Sequence, residues 1–244
     1  MTLTVSSPQR GIVTVTLDAP ANRNALSADL VGALTEVFES RAKDSDTRAV
    51  LLTHTGSTFC SGADLRDPPD PRAFVALLRQ IVALPRPVVA RVAGHVRAGG
   101  LGLVGACDIA VAGAGASFAL TEVRIGVAPA VISMPLLPRV SPRALDRYAL
   151  TGERFDAVEA ARIGLITAAS EDVDVALAPV LDGLRRSAPR ALAETKKLVT
   201  AKVLDAFDHH TDDLIALSAR LFGSAEAQEG MTAFLERREP PWVL

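Results

Sequence analysis

Three short segments carry residue types that could do chemistry together. Phe59-Cys60-Ser61-Gly62-Ala63-Asp64 and Ala98-Gly99-Gly100-Leu101-Gly102 are small-residue turns, and each can expose a bare backbone N–H. Two such donors aimed at one point stabilise a carbonyl oxygen that is taking on negative charge. The second turn follows a strand pattern and opens a helix pattern, where unpaired N–H groups and the helix dipole favour an anion. Glu122, just past another short strand, is a carboxylate able to move a proton beside such a centre. Taken singly, each turn could be simple close packing and Glu122 a first-turn helix cap. Taken together, they suggest proton transfer through an oxyanion.

Other chemistries fit less well. Gly100-x-Gly102-x-x-Gly105 matches a dinucleotide fingerprint, with Glu122 near the place of its ribose-binding acid. Yet these glycines begin well after Gly94, the helix stops by Asp108, and two short strands follow where one long strand belongs. His54, His95, His209 and His210 lack metal-ligand spacing with Cys or carboxylates, so no metal is expected. No nucleophile elbow or phosphate loop is present. Cys60 and Cys107 lie in apolar surroundings and read as reduced core thiols. Asp108 reads as structural, and His95 as a pocket-wall or surface residue.

The elements that must position these segments follow from hydrophobic period and breakers. Ile12 to Leu17 alternates as a strand, then Asp18-Ala19-Pro20 breaks it before the polar loop Asn22-Arg23-Asn24. Ser27 caps a helix to about Lys43, with Leu30, Leu34, Val37 and Phe38 on one face. Strands are predicted over 49–53, 87–93, 108–112 and 117–120, and helices over 72–84 and 99–107. Asp67-Pro68-Pro69-Asp70-Pro71 is a loop. From Pro142 onward the pattern is almost wholly helical: one helix capped by Asp156 stops at Gly164, and others cover 175–186, 190–206 and 211–237. Strand–strand–helix units of this kind predict an α/β spiral core over 1–185, followed by a C-terminal helical region over 186–244.

The bulk composition narrows the partners. A chain of 244 residues with 49% hydrophobic and 22% charged residues has the makeup of a soluble globular protein with a substantial core. A net charge of −2 without a Lys/Arg tract argues against nucleic acid. Arg91 and Arg97 interrupt the best candidate for a membrane span, and residues 1–11 lack a secretory leader, so no membrane and a cytoplasmic location are expected.

In order and kind, these segments resemble the crotonase superfamily, the enoyl-CoA hydratase/isomerase group, over nearly the whole chain. Asn22-Arg23-Asn24-Ala25-Leu26-Ser27 is similar to the family's N-terminal signature, and Phe59 through Leu65 to its first oxyanion segment. Val92-Ala93-Gly94 through Ala98-Gly99-Gly100 to Ala106-Cys107-Asp108-Ile109 is similar to the second, and Glu229-Gly230 with Ala233 to Arg238 and Pro240 to the closing helix. The resemblance implies a crotonase-like ββα spiral acting on acyl-CoA thioesters, with coenzyme A as part of the substrate and no separate cofactor. It implies an oxyanion hole from the Ala63 and Gly99 N–H groups and Glu122 as catalytic acid/base. Substrate contacts are implied at Arg23, Ala25, Ser61, Asp64, Leu65 and Gly100, along with a homotrimer or dimer of trimers. Apolar positions on the last helices, Leu214, Leu217, Leu221 and Phe222, fit such an assembly.

One departure matters. Hydratases of this family typically carry two glutamates, and the position of the first is Gly102 here. Ala130 and Val131 also replace part of a glycine-rich run. The run Thr121 to Gly126 with Pro129 to Ser133 is similar to the methylglutaconyl type of hydratase. The implied reaction is hydration of a 2-enoyl-CoA. The alternatives are 3-enoyl to 2-enoyl isomerisation on a single glutamate, and acyl-CoA binding without catalysis. If the missing carboxylate limits hydration, Gly102→Glu should raise it.

Overall fold

Strands and helices alternate so that each turn of the chain adds a strand to one sheet, a strand to a second sheet, and then a covering helix. The computed structural model describes residues 2–244. The first sheet has six strands, β1 (Leu3–Val5), β2 (Ile12–Leu17), β3 (Ala49–His54), β5 (Val88–Val92), β7 (Ile109–Gly113) and β10 (Ala168–Ser170), in that order. All neighbours are parallel except β1 against β2. The second sheet orders β4 (Thr58–Cys60), β6 (His95–Arg97), β8 (Ser117–Ala119) and β9 (Phe155–Asp156), parallel except for β8 against β9.

Parallel strands are covered on both faces and therefore read as apolar runs. Val88, Val89, Ala90 and Val92 of β5 are fully buried for that reason. Three helices cover the turns: α1 (Ala28–Lys43), α2 (Pro71–Ala83) and α3 (Gly99–Ala106). The expected caps are present, since Ser27 Oγ accepts from Leu30 N–H at 3.2 Å and Asp70 Oδ1 from Arg72 N–H at 2.7 Å. α2 puts Phe74, Leu77, Leu78 and Ile81 inward, and α1 adds Leu30, Leu34 and Phe38 to the same core.

After Pro142 the expectation of almost unbroken helix needs correction. α4 (Ser133–Leu136), α5 (Pro142–Thr151) and α6 (Ala157–Arg162) precede α7 (Val173–Arg186), but β9 and β10 return the chain to both sheets. Strands of two and three residues carry too little period to be seen in the sequence. The predicted break between 206 and 211 is also absent. α8 runs continuously over Pro189–Phe222, and α9 over Ala225–Glu236. No glycine or proline interrupts residues 207–211, and the chain turns instead at Gly223, where Ser224 Oγ accepts from Ala227 N–H at 3.1 Å. α8 is fixed by Lys196, whose buried ammonium donates to Ile81 O (2.8 Å) and Arg86 O (3.1 Å) and pairs with Asp108 Oδ2 at 2.7 Å. Asp108 thus has the structural role expected of it.

Candidate active site

The second sheet builds the site. β4, β6 and β8 are parallel neighbours, and each ends in one of the segments singled out above: Ser61-Gly62-Ala63, Ala98-Gly99, and Thr121-Glu122. All three therefore emerge on one edge of one short sheet.

The first turn is held by the loop before α1. Leu26 N–H donates to Gly62 O at 2.8 Å, and Leu26 O accepts from Asp64 N–H at 2.9 Å. Leu26 and Ala63 form this isolated parallel bridge, so Ala63 turns its own N–H away from Leu26. Neither Ala63 N–H nor Gly99 N–H, the first amide of α3, donates a hydrogen bond within the described residues. The two turns touch. Gly62 has φ +95°, and a side chain there would begin 2.8 Å from Ala98 Cβ and 3.7 Å from Gly99 N. Ala98 itself has φ 47°, a strained conformation for a residue with a side chain, and its N–H donates to Ala119 O on β8 at 3.1 Å. That bond ties the second turn to the strand leading to Glu122.

Glu122 opens a 3₁₀ turn, Glu122–Ile125, and is only 9% exposed. Its Oε2 is buried and has no hydrogen-bond partner. Burial pushes the carboxyl up from 4.5 to about 7, opposed only by a hydrogen bond from the residue's own backbone. A carboxyl poised near neutrality with a free oxygen can both take and return a proton.

The other expected site residues fall around the first turn. Arg23 is exposed with φ 58°, and its carbonyl accepts from Ser61 N–H at 3.2 Å. Ala25 is buried, and Ser61, Asp64 and Leu65 are half-buried. Asp64 Oδ1 accepts from Arg66 N–H at 3.0 Å, a bond within its own turn. Gly100 is buried against β4, where a side chain would begin 2.9 Å from Cys60 Cβ. His95 starts β6, with Nδ1 3.0 Å from Ser117 Oγ, at the opposite end of these strands from the turns. Burial pushes the Cys60 and Cys107 thiols up to about 12, which leaves them inert as nucleophiles. Surface clefts of about 500 Å³ beside Arg10, Arg48 and Arg185, and of about 450 Å³ beside Ser117 and Tyr148, lie away from the three segments.

Sequence reasoning missed what fills the space at Gly102. A side chain there would begin 2.7 Å from Ile132 Cγ2, 3.1 Å from Ile132 Cβ and 3.4 Å from Leu78 Cδ1. Ile132 occupies the room a glutamate would need, so the expectation that Gly102→Glu completes a hydration site is corrected. The signal was available nearby in Ala130 and Val131, bulkier residues where the resemblance implies glycines.

On this spiral fold, two touching turns with unpaired amides adjoin a third turn, just past β8, that carries a buried carboxyl pushed up to about 7. The chain belongs to the enoyl-CoA hydratase/isomerase family, whose model matches residues 7–243, and is an enzyme of that type acting on acyl-CoA thioesters. It is similar to an enoyl-CoA hydratase from Mycobacterium avium of known structure, 50% identical with a TM-score of 0.93 over 99% of each chain. It is 31% identical to the (E)-benzylidenesuccinyl-CoA hydratase of Thauera aromatica over 93% of each chain. It is also 30% identical to the carnitinyl-CoA dehydratase of Proteus mirabilis, over 95% of this chain and 94% of that one. Among the described residues no helix is long and apolar enough to cross a membrane.

Proposed function

We propose that this enzyme moves the double bond of a 3-enoyl-CoA thioester to position 2. The Glu122 carboxylate takes a proton from C2, and negative charge passes to the thioester oxygen, held by the Ala63 and Gly99 N–H groups. The resulting dienolate is protonated at C4 by the same carboxyl, so one proton leaves and one returns with no other reactant. The observation that carries this reading is the packing of Ile132 against Gly102. It leaves no room for a second acid/base carboxyl at position 102, and this reaction needs only Glu122. Arg23 and Ala25 would lie along the nucleotide part of coenzyme A, and Ser61, Asp64, Leu65 and Gly100 would frame the thioester.

Hydration of a 2-enoyl-CoA is the second reading, favoured by the names of the relatives. It needs a held water as well as a proton for C2, which one carboxyl supplies only when other groups fix the water. Product analysis with matched 2-enoyl and 3-enoyl thioesters separates the readings. Isomerisation at least tenfold faster than hydration supports the first, and the reverse order overturns it. Tight thioester binding with neither product would leave an acyl-CoA binder. Assembly into trimers, or dimers of trimers, belongs to the same reading. It is supported by the exposed apolar side chains Phe222, Phe234, Leu235 and Trp242 of the C-terminal region, whereas Leu214 packs against the core and Leu217 and Leu221 are half-buried. A monomer mass by light scattering at micromolar concentration would overturn it. A cytoplasmic location completes the proposal.

A further inference from the structure

The turn that carries Glu122 is held from outside the spiral by the last helix. Gly230 of α9 lies so close to the turn that a side chain there would begin 2.6 Å from Ile125 C and O and 2.7 Å from Ile125 Cα. Gly126, with φ +77°, meets α9 in the same way, 2.7 Å from Glu226 C and O and 2.8 Å from Ala227 N. Two stretches of main chain are therefore in direct contact at both points. Gly126 N–H and Val127 N–H both donate to Glu122 O, so the contact lies one residue from the bonds that fix the Glu122 backbone.

Within a single chain α9 buries little apolar surface of its own. Its buried residues are Ala227, Gly230 and Ala233, which remove little apolar area from water, while Phe234 and Leu235 stay exposed. Its ends are fastened separately, by the Ser224 cap and by Arg238, which pairs with Glu229 at 2.6 Å and Glu236 at 2.7 Å. On another side the turn meets α5, where Arg124 Nε donates to Thr151 O at 3.2 Å. The charged groups of the turn and α9 are Arg124, Glu226 and the Arg238 cluster. None of them accounts for the raised Glu122 carboxyl, which follows from burial alone.

We propose that α9 is a positioning element for Glu122, acting through the main-chain contacts of Gly230 and Gly126, so that the site works only while α9 is docked. This rests on Glu122 being the acid/base of the proposed reaction. Loss of α9 docking would then abolish turnover before the spiral core unfolds, because a terminal element with few buried apolar contacts opens at a lower free energy than the whole fold.

The test uses the full chain. Gly230→Ala should lower kcat at least tenfold with KM within about twofold, and move the midpoint of the kcat/KM profile below that of the wild type, as water reaches the carboxyl whose raised value rests on burial. Val203→Ala, a core cavity on α8 away from the turn, should lower Tm and leave that midpoint unchanged. Ser224→Ala removes only the α9 cap. It should speed hydrogen exchange at α9 amides and at Gly126 and Val127 together, by about fivefold, with α5 unchanged. A folded Gly230→Ala enzyme with wild-type kcat and midpoint overturns the proposal. So does a Val203→Ala enzyme whose midpoint moves as far, or Ser224→Ala that loosens α9 without Gly126 and Val127. If Gly230→Ala fails to fold, the exchange experiment decides alone. Persistence of C2 proton exchange in Glu122→Gln would instead sink the assignment of the base, and leaves the exchange coupling to be judged separately.

Discussion

Replacing Glu122 by glutamine should reveal how much stability the fold gives up to hold this carboxyl. The group ionises at 4.5 in an exposed chain and at about 7 in the folded enzyme. A carboxyl whose folded value is raised leaves stability intact below the unfolded value, and stability is lost as pH rises through the interval between the two. At about 1.4 kcal/mol per tenfold in proton affinity, the loss approaches roughly 3 kcal/mol once both states are ionised. Glutamine cannot ionise, so it escapes the loss. It buries an amide with one group unpartnered, but that penalty does not vary with pH and cancels between two conditions. The stability difference between Glu122→Gln and wild type should therefore move in favour of the variant by roughly 3 kcal/mol between about pH 4 and about pH 8. Urea unfolding at both pH values measures it directly. A difference constant across that range would refute the account of Glu122 as a buried, desolvated carboxyl. A difference moving the other way would mean that a cation holds the carboxyl ionised.

Three further outcomes follow from the geometry. Ala63→Pro deletes an amide that makes no internal hydrogen bond, so the fold should survive while turnover falls about 100- to 1000-fold, measured as kcat with a 3-enoyl thioester. Gly102→Glu should not improve hydration; it overpacks against Ile132 and should cost roughly 1–3 kcal/mol in urea unfolding, with Gly102→Glu/Ile132→Ala recovering part of the loss. Asn24→Ala removes an acceptor for Ala19 N–H and donors to Thr55 O and Thr58 O, and by Tm and urea midpoint should lose at least about 2 kcal/mol.

The three segments that the second sheet brings together were legible because their residue types are unusual where they stand. A glycine pair between strand and helix, a Ser-Gly-Ala turn after an apolar strand end, and a lone acid after a short strand each have a local physical reason. Elements of six residues or more with a clear period, such as Ile12–Leu17 and Ala28–Lys43, were legible for the same reason. What escaped was set by distant parts of the chain. Phe155–Asp156 and Ala168–Ser170 become strands only because β8 and β7 offer edges to pair with. The length of α8 was misread at Asp208-His209-His210, a polar stretch that stays helical on a helix whose Arg79–Asp208 and Arg72–Asp212 pairs face α2. The filling of the Gly102 space by Ile132 joins residues that no sequence period connects.

Asn24, wholly buried, anchors its loop with three side-chain hydrogen bonds, while Arg23 beside it remains exposed to solvent. Both residues already hold the left-handed backbone conformation, at φ 58° and 53°. The segment proposed to receive the nucleotide end of coenzyme A is thus fixed before any ligand arrives. Capture there spends entropy on one arginine side chain, about 0.5–1.5 kcal/mol, rather than on folding a loop. An ordered landing place of this kind favours rapid association, so differences in affinity among thioesters should reside in how long each acyl chain stays and not in how fast it docks.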